Sequence, residues 1–225
     1  MSVSRDIRAA VVLMLILAIF CGLAYPLVLV GINQVVFPGA ANGSKLVVDG
    51  KVVGSSLIGQ QFGDQVYKSG RPELANGEPV TTPDPRYFQS RPSATEPPYN
   101  AAASTFSNLG PNNVATEQEI ATNIQTYLGL NEAPGGRRYD PAVTSAAQVP
   151  VDAANSSASG LDPDISVANA RIQAYRIAAL RHLSLARVDA LVSQYTTGRS
   201  LGFFGEPGVN VLELNLALNR LTGGG

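Results

Sequence analysis

The residues from Ala9 to Ile32, AAVVLMLILAIFCGLAYPLVLVGI, run for twenty-four positions with no charge. As a helix rising about 1.5 Å per residue the run reaches roughly 36 Å, enough to cross a hydrocarbon core of about 30 Å with some tilt. The remaining 193 residues then have to sit on one side of a bilayer. Arg5 and Arg8 precede the run with only Asp6 against them, and no basic residue follows until Lys45, so the positive-inside rule predicts a cytoplasmic 1–8, a transmembrane 9–32 and an extracytoplasmic 33–225. A cleaved signal peptide is the rival, with Gly22-Leu23-Ala24 as a small-x-small site, but signal cores run about 7 to 15 residues. A lipid-modified Cys21 is disfavoured because bulky Phe20 precedes it. Pro26 removes a helix donor, which a membrane helix tolerates where neighbours pack on it.

Cys21 is the single cysteine, so the larger part of the chain must hold together by packing without an internal disulfide. There are 16 basic and 17 acidic residues and no tryptophan; without Arg5, Arg8 and Asp6 the counts are 14 and 16. That balance excludes a nucleic-acid-binding surface of the usual basic kind.

Phe37 to Ser44 reads as a breaker-rich connector, and Asp49-Gly50 between Lys45–Val48 and Lys51–Val53 predicts a tight hairpin. Leu57, Ile58 and Phe62 suggest a third extended segment or a turn, and Lys68 to Pro85, with four prolines, reads as a long surface loop. Tyr87–Ala94, Tyr99-Asn100 and Ser107–Asn112 read as ordered loops, either a recognition surface or coil capped by its own Asn side chains. Thr116-Glu117-Gln118-Glu119 has the form of a capping box with Thr116 as N-cap, opening a helix to about Leu128. Residues 133–158 look linker-like. Ile165, Ile172, Ala179 and Leu183 predict a helix of about 17 residues, Leu185 to Tyr195 a second ending at Gly198, and Asn210 with Glu213 caps a third, although Leu212, Leu214, Leu216 and Leu218 also alternate as a strand would. The fold class is thus a single N-terminal transmembrane helix plus a mixed α/β (α+β) extracytoplasmic domain.

Chemistry-bearing motifs are sparse. The chain has no phosphate-binding Gly-Lys-Ser/Thr loop, and His182, the single histidine, is predicted on a helix with no Gly-x-Ser-x-Gly nearby. Asp162-Pro163-Asp164-Ile165-Ser166 begins like a calcium loop, but Val167 stands where Gly is needed and Gln173 where the bidentate Glu is needed, so it reads as helix capping. No catalytic, cofactor-binding or metal residue is assigned.

Eight ordered blocks resemble one family, the C subunit of the bacterial Kdp-type potassium-transporting ATPase. They are Tyr25-Pro26-Leu27; Phe37-Pro38 with Ala41–Ser44; Gly54–Phe62; Tyr87-Phe88 with Arg91–Ala94; Tyr99-Asn100; Ser107–Pro111; Ser159–Pro163 with Ile165-Ser166; and Leu201–Phe203 with Gly205–Pro207 and Val209–Leu212. Asp164 departs from the family's usual His, Val167 from Pro and Gly208 from Arg. The resemblance implies a non-catalytic, single-pass inner-membrane subunit of a complex that imports potassium at ATP's expense. Its implied partners are a channel-like subunit, a P-type ATPase subunit and a small single-helix subunit. ATP and potassium are used by the complex. Two jobs are implied: raising the ATPase subunit's affinity for ATP, or capping the channel-like subunit. The topology favours the cap, since only 1–8 would face cytoplasmic ATP, leaving an indirect effect through the anchor. Tyr25, Pro26, Arg91, Asn108 and Asp162 are the partner-contact candidates from motif position. An anchored envelope hydrolase using His182, or a binding module, is the alternative.

Overall fold

The computed structural model describes residues 3–222 apart from 66, 69, 70, 73, 76, 77 and 80. The chain packs as two units that meet in sequence between Val53 and Gly54. The first begins with one apolar rod of 34 residues, built from α1 (Val3–Ile19), a π-helical turn (Phe20–Ala24) and α2 (Tyr25–Val36). None of its side chains is buried within the chain, and it is long and apolar enough to cross a membrane. The π turn has a local cause. Pro26 has no N–H and its ring would collide with the carbonyl of Gly22 in a regular helix, and the wider turn, with Tyr25 N–H donating to Phe20 O, makes room for it.

The connector is helical where breakers predict coil. α3 (Pro38–Ala41) forms one turn, and Asn42 Nδ2 donates to Pro38 O at 2.7 Å and to Gln34 Oε1 at 3.1 Å, tying it to the end of α2. The hairpin follows as β1 (Lys45–Val48) and β2 (Lys51–Ser55). Asp49 and Gly50 at its tip have φ of 49° and 75°, the double left-handed pair of a type I′ turn.

In the second unit, Leu57 and Ile58 lie in a turn. The stretch expected to be a loop from Lys68 to Pro85 instead carries nested antiparallel pairs. β3 (Gly63–Gln65) pairs with β8 (Thr81–Pro83), β4 (Tyr67–Lys68) with β5 (Arg71–Pro72), and β6 (Leu74–Ala75) with β7 (Glu78–Pro79). The parts of that loop at 69, 70, 73, 76, 77 and 80 lie outside the described residues. α4 (Val114–Leu130) starts one turn earlier than the capping box suggests: Asn113 is the N-cap, accepting from Ala115 N–H at 2.9 Å, while Thr116 donates its hydroxyl to Gly110 O. Residues 133–158 are more structured than a linker. They contain most of the hairpin β9 (Glu132–Ala133) and β10 (Arg137–Arg138), then α5 (Val151–Ala154), and bury Asp140, Val143, Ala153 and Ala154.

The C-terminal part supplies the main core. β11 (Asp164–Ser166), α6 (Val167–Leu180), α7 (Leu185–Gln194), β12 (Thr196–Thr197), β13 (Gly208–Asn210) and α8 (Val211–Thr222) follow in order. β13 is central in an antiparallel sheet, with Val209 opposite both Ile165 and Thr196. Ile165 is therefore a strand residue, not the start of the helix its spacing predicts. The caps are Ser166, Ser184 and Asn210, each accepting a backbone N–H three residues on, as the first turn of a helix requires. α6 ends in a Schellman arrangement: Leu183 N–H donates to Ala178 O, and His182 takes the left-handed position at φ 54°. His182 is thus in a turn and not on a helix.

Ile165, Ile177, Val188, Val192, Val209 and Leu214 share one buried core with Phe88, which belongs to none of these elements. Helix side chains do for the Phe88 segment what a neighbouring strand would otherwise do. Asn215 accepts from Phe88 N–H and donates to Phe88 O, both at 2.9 Å. Gln173 treats Gln89 the same way, at 2.7 and 3.0 Å. Arg176, wholly buried, donates to Tyr87 O at 2.7 Å, Pro85 O at 2.8 Å, Asn131 Oδ1 at 2.7 Å and Gln173 Oε1 at 3.0 Å. Asn215→Ala leaves a buried N–H and C=O unpaired, so it should destabilise the chain by about 2–5 kcal/mol in chemical unfolding of the detergent-solubilised protein. A loss under about 1 kcal/mol would show that the clamp is dispensable.

Candidate functional site

Four of the eight sequence blocks meet at one corner of the second unit. Gly59 N–H donates to Leu161 O at 2.8 Å, and a Cβ at Gly59 would lie 2.5 Å from Asp162 O, so only glycine admits this approach. Ser93 Oγ donates to Gly160 O at 2.7 Å and accepts from Tyr99 N–H at 2.9 Å. Tyr99 in turn donates its hydroxyl to Arg91 O. Arg91 completes the junction: one terminal nitrogen pairs with Asp162 Oδ2 at 3.0 Å, and the other donates to Ser156 O at 3.2 Å and Asn155 O at 3.4 Å. Asp162 Oδ1 accepts from Asp164 N–H at 3.0 Å, so this carboxylate shapes a turn and holds Arg91, while Ser166 performs the helix capping expected of the whole segment.

A cleft of about 250 Å³ opens beside this corner, with Gln89, Arg91, Tyr99, Tyr127, Asn169 and Gln173 in its lining. Its polar groups are largely engaged with one another. Tyr127 donates to Asn169 Oδ1 at 3.0 Å, Gln173 Nε2 donates to the same atom at 2.9 Å, and Asn169 Nδ2 donates to Asp152 Oδ2 at 3.0 Å. Asp152 also accepts from Ser166 N–H and Oγ, both at 2.8 Å. Burial pushes the Tyr99 and Tyr127 hydroxyls well above the ordinary phenol range, so both act as neutral donors. Burial likewise lowers Arg176 to about 10, leaving it a cation at neutral pH. This arrangement fastens loops to helices. The Arg91 side chain already has three acceptors, which suits it to holding a shape.

Of the contact candidates, the structure brings Arg91 and Asp162 together. Asn108 does not join them: it is exposed, at φ 55°, and its amide donates locally to Phe106 O at 3.0 Å. Tyr25 and Pro26 lie in the other unit, at the start of α2. Arg176 and Asn215 are not marked by the sequence, and Gln173 enters it only as a residue that breaks the calcium-loop pattern. A signal existed in α6, where Asn169, Gln173 and Arg176 recur at helical spacing on a face that also carries apolar Ala170 and Ile177.

Asp84 and Asp164 respond oppositely to their surroundings. Burial alone would raise Asp84, but the side-chain and backbone hydrogen bonds from Arg86, with the charges of Arg86 and Arg181, hold it below the usual carboxylate value. Asp164 is raised by burial first and then by the charge of Asp162, against the Asn210 side chain, which hydrogen-bonds to it; Glu213 adds repulsion. Asp164 also lies against Gly208, where a Cβ would stand 3.3 Å from its own, so two of the three departures from the family pattern are neighbours.

Taken together, the fold defines a protein with, among the described residues, one candidate membrane span and a separately packed helix-and-sheet body whose loops are fixed by buried polar side chains. The chain belongs to the KdpC family, K+-transporting ATPase, c chain, which matches residues 7–220. Similar proteins named "Potassium-transporting ATPase KdpC subunit" occur in Methylococcus capsulatus (46% identical over 215 residues, 95% of this chain and 97% of that one) and Dechloromonas aromatica (45% over 217 residues, 96% and 97%). Another, in Mycobacterium tuberculosis, is 40% identical over 217 residues, 96% of this chain and 99% of that one.

A raised carboxyl in the fold retains a proton that the unfolded chain has lost. Stability therefore falls as pH rises from the ordinary value of 3.8 through the higher value Asp164 has in the fold, and stays lower above it. Asp164→Asn should make the protein more stable than the wild type at pH 7, with the difference shrinking at the acid end of that window. Equal unfolding curves for the two proteins at pH 7 would contradict this.

Proposed function

We propose that the chain is a non-catalytic subunit of a potassium-transporting ATPase in the cell (inner) membrane. It crosses once, with a cytoplasmic N-terminus and an extracytoplasmic 33–225. The observation that carries the reading is family membership over 7–220, joined by a rod that buries none of its apolar side chains within the chain. A helix of that kind in water would expose a continuous apolar surface, and lipid or partner helices remove it from water. Its partners are a channel-like subunit, a P-type ATPase subunit and a small single-helix subunit, and its role is assembly and support of the ion-selecting part. Any effect on ATP affinity passes indirectly through the anchor, because Arg5 and Arg8 keep only a short N-terminus on the cytoplasmic side.

Within this reading the Arg91–Asp162 junction shapes the partner-facing loops from behind, and exposed Asn108 lies on their outer side. Tyr25 and Pro26, at the widened turn, are contact points for neighbouring helices. The hydrolase alternative loses support from the position of His182, a left-handed helix-ending residue where the backbone rather than the imidazole accounts for its setting. Asn tolerates that conformation, so His182→Asn should leave potassium-stimulated ATP hydrolysis of the co-expressed complex unchanged. The same preparation, made through a C-terminal phosphatase fusion, should carry active phosphatase. An inactive fusion would overturn the topology, and a chain that purifies without an ATPase subunit would overturn the assignment.

A further inference from the structure

The hairpin that follows the apolar rod is tied to the end of that rod. Asn42 and Gln34 face each other amide to amide, Asn42 Nδ2 donating to Gln34 Oε1 at 3.1 Å and Gln34 Nε2 to Asn42 Oδ1 at 3.5 Å. Gln34 lies two positions past Ile32, the end of the apolar run, which is about 3 Å along the helix. The connector thus folds back beside the rod, and Ser44, at φ 47°, turns the chain into β1. Lys45 follows three residues after Asn42, at most about 10 Å of chain. Where the rod crosses a bilayer, β1 therefore starts beside the headgroup layer, which extends roughly 5–8 Å beyond the hydrocarbon on each side. All of β1 and the first residues of β2, up to Val53, pack in the same unit as the rod.

One face of this hairpin is apolar and uncovered. The two-residue turn at Asp49-Gly50 sets Val47 opposite Val52, and strand alternation puts Lys45 on the face of Val47. Leu46, Val48 and Val53 are half-buried, whereas Val47 is 56% and Val52 60% exposed. Lys45 and Lys51 are exposed too, and among the described residues neither has an ion-pair partner. Asp49 at the tip is the one acid in the hairpin against these two lysines. Charge decides between the two kinds of cover. Lysine is depleted from protein interfaces, whereas at an anionic lipid surface it gains, laying its stem on apolar neighbours and its ammonium among phosphates. Lys51 sits beside the turn on the other face, and its flexible four-carbon stem brings its ammonium within reach of the same headgroups. We propose that β1–β2 is a lipid-docking hairpin: Val47 and Val52 enter the boundary between headgroups and acyl chains, and Lys45 and Lys51 bind the phosphates of anionic phospholipids. The proposal rests on the reading of the rod as a membrane span and adds to it a second contact at the surface. A lone helix turns freely about its own axis in lipid, and a hairpin lying on the surface at its end fixes that rotation.

The chain contains no tryptophan, so Val47→Trp places a single indole on the hairpin. In the full chain reconstituted into vesicles of equal phosphatidylglycerol and phosphatidylcholine, its fluorescence should be quenched by lipids brominated on the acyl chain. Val151→Trp, on α5 at a site 73% exposed, should stay unquenched. Adding Lys45→Gln and Lys51→Gln to Val47→Trp should weaken the quenching in these vesicles but not in phosphatidylcholine alone. In membranes that hold the chain co-expressed with its genomic neighbours, a photo-crosslinking phenylalanine analogue in place of Val52 should form adducts with lipid. An unquenched Val47→Trp, quenching indifferent to the two lysines, or a protein adduct at position 52 would each overturn the lipid contact. Alkaline carbonate extraction separates that failure from failure of the span: a chain that stays in the vesicles keeps the span, and one that is released removes both.

Discussion

The backbone of Tyr87, Phe88 and Gln89 sets the terms for the second unit. Phe88 is buried in the core, yet it lies in no strand and pairs with none among the described residues, so its N–H and C=O must find partners elsewhere or be left at high cost. Asn215 from α8 and Gln173 from α6 each present an amide, whose adjacent donor and acceptor match the two groups of one backbone residue. Arg176 completes the set by reaching the carbonyls of Pro85 and Tyr87 while remaining charged, its cation held among carbonyl and amide oxygens. For Phe88 and Gln89, helix side chains supply the hydrogen bonds that a neighbouring strand supplies in a sheet.

This clamp joins the irregular half of the body to the regular half. The chain leaves Gln89 directly into the Arg91 junction, and the path through Ser93 and Tyr99 brings it against Gly160. A short polar relay through Asn169, Asp152 and Ser166 links the same helix to α4 and β11. Loops that lack regular structure are therefore shaped by contacts with a rigid helix. Under the proposed role in assembly, such pre-shaping matters more than any reactive group, because a surface shaped in advance loses less entropy on docking.

What could be read from the sequence divides along the range of the interactions. Local chemistry was visible: Asp49-Gly50 carries its own turn, Asn210 its own cap, and the apolar run its own helix. Elements decided by distant partners were misjudged. Ile165 has helical spacing with Ile172 but pairs with Val209 across the sheet, and the proline-rich stretch up to Pro85 forms short pairs that composition alone argues against. Thr116 has the chemistry of a cap, but Asn113 reaches the open N–H groups first. The Arg91–Asp162 contact joins residues 71 positions apart; the resemblance of whole blocks marks each residue as a candidate but does not pair them. The buried amides of Gln173 and Asn215 look like ordinary surface residues until the backbone they serve is seen.

The clamp makes the amides of Phe88 and Gln89 the most informative atoms in the molecule. Residue-level hydrogen exchange on the full chain should find both exchanging as slowly as the core amides of α6 around Ile177, which open only when the whole unit unfolds. Exchange at the rate of the exposed segment around Ala101–Ala103 would mean that the run opens on its own, and that the helices do not hold the loops the surface is built from.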